Sequence, residues 1–124
     1  MTGYKQLDVY KRAYNMAKEV HGLTQSFPKH EVHELGSQLR RSVVSIILNI
    51  AEGYGRKDSK NELQHFLRTA LGSCNEVQVL LELCKDLGYL SPEDYERINS
   101  EYNIIGKQIF RLRESYKNHP STKS

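Results

Sequence analysis

Two short runs in this chain have the residue types and spacings of metal chemistry. Glu62-Leu63-Gln64-His65 has the Glu-x-x-His spacing of a di-metal carboxylate site in a helix bundle. Such a site needs that motif twice, with two further glutamates pointing inward. The chain holds no second copy, so chance and helix capping account for the first. His30-Glu31-Val32-His33-Glu34 follows Pro28 and sets its histidines three apart in a broken link. The helix of a zinc protease places them four apart, as His-Glu-x-x-His. Cys74 and Cys84 fall on the apolar side of an expected helix, with no metal-type neighbour. They read as buried, inert thiols. Gly53-Tyr54-Gly55 ends a helix, whereas a phosphate cradle would open one. No catalytic residue, metal ligand or cofactor is expected, and the chain reads as a non-enzyme.

A second group of polar residues has helical spacing. Gln38, Ser42, Ser45, Asn49, Glu52 and Arg56 form one stripe on an otherwise apolar helix, and Thr69, Ser73 and Glu76 form another on the next helix, beside Gly72. A stripe of this kind either faces water or faces protein, where each polar group must find a partner. If the two helices run antiparallel from a turn near Lys57, Gln38 and Arg41 lie level with Ser73 and Glu76. Glu76 would then pair with Arg40 or Arg41, because an unpaired buried charge is very costly. Gln38, Arg40, Arg41, Ser45, Asn49, Glu52, Ser73 and Glu76 make up this expected structural network. It would fix register within the bundle or between subunits.

Four helices carry these groups. The first runs from about Leu7 to Ser26, with Val9, Ala13, Met16, Ala17, Val20, Leu23 and Phe27 recurring at helical spacing. Pro28 stops it. The second runs from about Glu34 to Tyr54 and is apolar nearly all round (Leu35, Leu39, Val43, Val44, Ile46, Ile47, Leu48, Ile50, Ala51); Gly53 and Gly55 break it. The third opens on a capping box, in which Ser59 accepts a backbone N–H and Glu62 reaches back to the cap. It carries Leu63, Phe66, Leu67, Ala70, Cys74, Val77, Leu81, Cys84 and Leu87 and closes at Gly88 in a left-handed terminator. The fourth opens with Ser91-Pro92-Glu93-Asp94, an N-cap, a first-turn proline and acids suited to the helix dipole. Tyr95, Ile98, Tyr102, Ile105, Ile109, Leu112 and Tyr116 follow at threes and fours. Short connections make successive helices antiparallel neighbours. The expected fold is all-α, an antiparallel up-down-up-down four-helix bundle over residues 1–117. A frayed polar tail is expected at 118–124.

With 124 residues and 38% hydrophobic content, the chain suits one domain with a thin core. No apolar run reaches the ~18 residues of a membrane span. The opening Met1-Thr2-Gly3-Tyr4-Lys5-Gln6 lacks the apolar stretch of a signal peptide. A cytoplasmic location without membrane association is expected.

Several runs together also resemble a known family: Leu7-Asp8-Val9-Tyr10-Lys11, Phe27-Pro28 with Glu31, Gln38-Leu39-Arg40-Arg41-Ser42, Ser45, Asn49-Ile50-Ala51-Glu52-Gly53 with Arg56, Phe66-Leu67, and Ala70-Leu71-Gly72-Ser73 with Glu76. The chain resembles, over roughly residues 4 to 90, the bacterial four-helix-bundle proteins named after open reading frames in intervening sequences of 23S ribosomal RNA genes. Asn-Ile-Ala-Glu-Gly with the following Arg is the most specific part. Tyr10 stands where the family usually has Trp, Ser42 where it has Ala, Glu34 where Gly is common and His33 where an aromatic is common. The resemblance implies a bundle that assembles as a ring, typically a homopentamer, with no known enzymatic activity. A more distant resemblance, to the accessory bundle proteins of diversity-generating retroelements, implies a basic pentamer that engages nucleic acid.

Charge divides along the bundle axis. One half holds the start of the first helix, the turn between the second and third, and the end of the fourth. It carries Lys5, Lys11, Arg12, Arg56, Lys57, Lys60, Arg68, Lys107, Arg111, Arg113, Lys117 and Lys123 against Asp8, Glu52, Asp58, Glu62 and Glu114, a net +7 of the overall +3, leaving −4 on the other half. Dipole and capping preferences explain part of this, but not Lys11, Arg12 or Lys60. Tyr4, Tyr10, Tyr54 and Tyr116 lie at the same end and can stack on bases, although Tyr54 and Tyr116 also suit a core. Two functions fit. The first is a ring binding nucleic acid, RNA favoured, through Lys11, Arg12, Arg56, Lys57, Lys60, Arg111, Arg113 and Lys117. The second is a scaffold ring with a protein partner.

Overall fold

The periodicities of the sequence are realised as four long helices in the computed structural model, which describes residues 3–117. A 3-10 turn at Tyr4–Gln6 leads into α1 (Asp8–Thr24), followed by a single-turn α2 (Lys29–Val32), then α3 (Leu35–Gly55), α4 (Lys60–Asp86) and α5 (Pro92–Lys117). The described residues contain no strand. The expected tail at 118–124 lies outside the described residues.

One stripe of each long helix supplies the core. Val9, Ala13, Met16 and Val20 of α1 meet Leu39, Val43, Ile46 and Ile50 of α3, Leu63, Leu67, Val77 and Leu81 of α4, and Ile98, Tyr102, Ile105 and Ile109 of α5. Contacts run in opposite sequence order along neighbouring helices. Ser45 touches Ser73, and nearer the turn Arg56 touches Glu62. Gln64 bonds to Arg113, and Gln78 to Asn99 and Asn103. Arg12 pairs with Glu101 and Glu19 with Arg97. The α3–α4, α4–α5 and α1–α5 pairs therefore run against one another.

The helix ends follow local chemistry, with two departures. Ser91 Oγ accepts from Asp94 N–H at 3.1 Å, as an N-cap should. Gly88 sits at φ +83°, and the Tyr89 N–H bonds back to the Cys84 carbonyl at 2.8 Å, which closes α4. Ser59 caps α4 by accepting from Glu62 N–H. The capping box is only half formed, because the Glu62 carboxylate turns to Arg56 at 2.9 Å; a charge-assisted bond wins over the neutral N–H.

Gly53 and Gly55 do not break α3, which runs through both. Gly53 is buried in helical geometry, and a Cβ there would lie 3.1 Å from Phe66 Cβ and 3.4 Å from the Leu63 carbonyl. Its role is close helix approach at the base of the α3–α4 hairpin. Gly72, by contrast, has nothing within 4 Å of such an atom, so its small size serves no contact within the chain. Leu87, expected on the apolar face, is half exposed because it is the C-cap residue of α4.

Candidate functional site

The polar stripes of α3 and α4 meet only in their middle. Ser45 Oγ and Ser73 Oγ share a hydrogen bond at 2.8 Å, with Ser73 buried. Asn49 Nδ2 donates to both the carbonyl and the hydroxyl of Ser45, at 2.8 and 3.1 Å. Ser42 is buried and returns its hydroxyl to the Gln38 carbonyl. Toward the ends the stripe enters water. Gln38, Arg41, Glu52 and Glu76 are exposed, and Thr69 satisfies itself on the His65 carbonyl. Small hydroxyls thus let two backbones approach and consume each other's polarity, as a buried polar pair must.

The expected ion pair to Glu76 does not form. Arg41 and Glu76 lie on the rim of one open cleft of about 400 Å³ with Gln38, Ser42 and Ser45, both exposed and without an ion pair. Arg40 turns the other way. Its Nη1 donates to Thr24 Oγ1 at 2.8 Å and its Nη2 to the Val32 carbonyl at 2.9 Å, joining α3 to the end of α1 and to α2. Thr24, 0% exposed, passes its own proton to the His21 carbonyl. Gly36 makes room for this clamp, since a Cβ there would lie 3.1 Å from Arg40 Nη1 and 3.0 Å from the Glu31 carbonyl. Consecutive helical residues point about 100° apart, so Arg40 faces α1 and Arg41 faces water.

Sequence reasoning missed this clamp, and also the tie of Tyr89 to Glu31, in which the phenol donates to Oε2 at 2.9 Å. Both join residues from different elements, and no period links them. The tyrosine phenol is held above its ordinary value first by that bond to Glu31.

At the basic end, the candidate residues divide into engaged and free. Arg56 donates to Glu62 at 2.9 Å and to Glu52 at 3.2 Å; those bonds raise its affinity for its proton. Arg12 pairs with Glu101 at 2.9 Å. Arg113 exchanges bonds with Gln64, Lys117 lies 3.9 Å from Glu114, and Lys57 sits 4.4 Å above the Tyr54 ring. Lys11, Lys60 and Arg111 are exposed, with no carboxylate within ion-pair reach among the described residues. Lys5, Arg68 and Lys107 at the same end share that condition. Tyr54 and Tyr116 are half-buried, and burial first, then the neighbouring Tyr54, raises the Tyr116 phenol above its ordinary value. Tyr4 and Tyr10 are half-buried as well, in edge contact at 4.9 Å.

The described residues contain no group of three or more His, Cys, Asp or Glu able to hold a metal, and no helix long and apolar enough to cross a membrane. Both cysteines are buried and free. Burial pushes the Cys74 thiol from 9.0 up to about 12, and burial with the nearby Glu31 carboxylate pushes the Cys84 thiol up to about 11. The unfolded thiols ionise near their ordinary value, so above it the folded state holds more protons. The thiols' contribution to stability is therefore complete below about pH 8.5 and declines as pH rises through 9 toward 11. A disulfide reagent at pH 8 should leave the native thiols unmodified and modify both in denaturant. Immediate reaction of the native protein would contradict this burial.

The profile of the 23S rRNA-intervening sequence protein family matches residues 5–111, further into α5 than the residues that first suggested the family. Among solved structures, the chain is similar to a protein of unknown function from the S23 ribosomal protein family of Bacteroides thetaiotaomicron VPI-5482. The TM-score is 0.75 at 28% identity, over 86% of this chain and 95% of that one. No functionally curated protein matches. The chain belongs to the 23S rRNA-intervening sequence protein family.

Proposed function

We propose that this chain is a non-catalytic cytoplasmic protein that assembles with copies of itself and binds nucleic acid, RNA in particular, through its basic end. The observation that carries the reading is the set of exposed cations Lys5, Lys11, Lys60, Arg68, Lys107 and Arg111, left without carboxylate partners among the described residues at one end of the bundle. At the other end Arg40 and Arg97 are consumed by Thr24, Val32, Glu19 and Asp94, and fewer exposed cations, Lys29 and Arg41 included, stand without a carboxylate among the described residues. Unpaired cations on one surface bind phosphates by releasing counterions, and the resulting affinity depends on salt and not on sequence. The two raised thiols support the non-catalytic part, since neither is a nucleophile at neutral pH.

The test is retardation of a single-stranded RNA across a salt series. The log of affinity should fall linearly with log salt, by a slope of about −0.7 for each phosphate neutralised. Arg56 is a poor residue to reverse, because it ties two glutamates. Lys57→Glu with Lys60→Glu should weaken binding roughly tenfold or more. Lys29→Glu with Arg41→Glu, which changes net charge by the same amount, should change it little. Absence of binding to any RNA or DNA at about 50 mM salt would remove this reading and favour the scaffold with a protein partner.

Self-assembly is supported by apolar surface that the chain leaves uncovered. Val79 and Leu83 of α4 and its C-cap Leu87 form a stripe, with Val79 66% exposed, and Leu48 of α3 is 59% exposed near Val44, also exposed. Stripes like these mark interaction sites. A homopentamer has a mass about five times 14.4 kDa. Val79→Glu with Leu83→Glu should lower the mass seen by light scattering while leaving helicity intact. A wild-type mass at the monomer value would end the assembly reading.

A further inference from the structure

Tyr14 of α1 has a placement that core packing does not explain, and two half-buried tyrosines of the N-terminal segment lead up to it. Tyr10 and Tyr14 are one helical turn apart on α1, so their side chains share a face. Their ring centres are 5.9 Å apart with planes tilted by 32°. Tyr4, from the preceding turn, meets Tyr10 edge-on at 4.9 Å. The three rings form a ladder that leads from Tyr4 and the half-buried Tyr10, which packs against the core, out to Tyr14, which is 45% exposed. Large aromatic surface left in water is costly unless something covers it.

The surroundings of the ladder are basic. Tyr10 and Tyr14 line an open cleft of about 490 Å³ with Lys5, Lys11 and Asn15, and no carboxylate lines it. Lys18 Nζ lies 5.4 Å from the Tyr14 ring centre. The carboxylates of Asp8 and Glu101 line the next cleft, where Glu101 is held by Arg12. An exposed aromatic ring at the end of an aromatic cluster, fringed by lysines, matches a ligand that alternates flat rings with negative charge.

We infer that the Tyr4–Tyr10–Tyr14 ladder is a stacking platform for unpaired bases, which makes single-stranded nucleic acid the ligand class; this rests on the nucleic-acid reading proposed above. Stacking on aromatic side chains tolerates any base, because every base has a π face, while flanking cations follow the backbone. In a duplex the base faces are already covered, and the protein can reach only phosphates, sugars and groove edges. The ladder therefore adds affinity for single strands and nothing for duplexes. It leads from the basic end, at Tyr4, along α1 toward Lys18, so one strand can hold its phosphates on the free lysines and its bases on the rings.

The experiment compares a fluorescein-labelled 20-nucleotide RNA with the duplex of the same sequence, at fixed salt, on the full chain. The wild type should bind the single strand roughly tenfold or more tighter than the duplex. Tyr14→Leu keeps an apolar helix former at an exposed site, and it should lose roughly tenfold on the single strand with duplex binding and salt slope unchanged. Tyr14→Phe retains the ring and should bind as the wild type does. Thermal melts of both variants separate a binding effect from a folding effect. Equal affinity for single strand and duplex, with Tyr14→Leu neutral and the Lys57/Lys60 reversal still weakening both, overturns the stacking platform and leaves the basic-end reading standing. No binding of either probe overturns both.

Discussion

Arg40→Ala should destabilise the protein by about 3 kcal/mol, from two lost hydrogen bonds to a charged donor at roughly 1.5 kcal/mol or more each. The guanidinium holds Thr24 Oγ1 at 2.8 Å and the Val32 carbonyl at 2.9 Å. Thr24 keeps its bond to the His21 carbonyl, but the Val32 carbonyl loses its side-chain donor. Helix α2, a single turn, has little internal strength and depends on this clamp and on the Tyr89–Glu31 bond. Arg40→Lys should recover only part of the loss, since one ammonium lacks the planar fork that reaches two acceptors at once. Glu76→Ala should stay within about 0.5 kcal/mol, as for other exposed residues without partners. Denaturant titration of the three variants checks this. A large loss for Glu76→Ala with little for Arg40→Ala would restore the ion pair expected from the sequence and refute the clamp.

Gly53→Leu should have a comparable effect, about 3 kcal/mol, near the upper end for overpacking. The first added carbon already lies 3.1 Å from Phe66 Cβ. That atom is fixed to the α4 backbone and cannot swing away, and the Leu63 carbonyl blocks at 3.4 Å. A leucine must therefore push α3 and α4 apart near their turn. Gly53→Ala sets two terms against each other: a helix-propensity gain of about 1 kcal/mol and part of the same steric cost. Its net effect should be much smaller. Gly72→Ala has open space at its Cβ and should raise the stability of an isolated chain by up to about 1 kcal/mol. Melting temperatures in the order Gly72→Ala, Gly53→Ala, Gly53→Leu, highest first, would bear out the packing role. Equal tolerance at both glycines would show that Gly53 is not a contact.

The candidate site was legible in part. Lys11, Lys60 and Arg111 were found from charge distribution alone and stand free in the structure. Arg12, Arg56 and Arg113 were found by the same argument and are engaged by Glu101, by Glu52 with Glu62, and by Gln64. A charge count along an axis cannot tell these cases apart, because pairing depends on angles around each helix and on which side chains arrive from the next one. Ser45, Asn49 and Ser73, expected on facing polar stripes, share hydrogen bonds in the structure; small polar residues on an apolar helix have few other uses. The clamp of Arg40 is not legible in the sequence, because its partners lie on elements whose position relative to α3 is not set by any period.

Local rules acting within a few residues of one another fixed the helices: apolar residues at threes and fours, Ser91 and Ser59 as caps, Gly88 at φ +83° and Pro28 after α1. Those interactions are short in sequence, so the sequence determines them, and with them the all-α class and the core stripes. Tertiary structure decided everything that depends on azimuth and distance between helices. It set Arg40 toward Thr24 and Arg41 toward water, turned Gly53 from an expected breaker into a packing contact, and drew Glu62 away from its cap to Arg56. It also left Val79, Leu48 and Tyr14 on the surface. An amphipathic pattern states that a residue avoids water. Only the packed neighbours decide whether this chain or another molecule covers it.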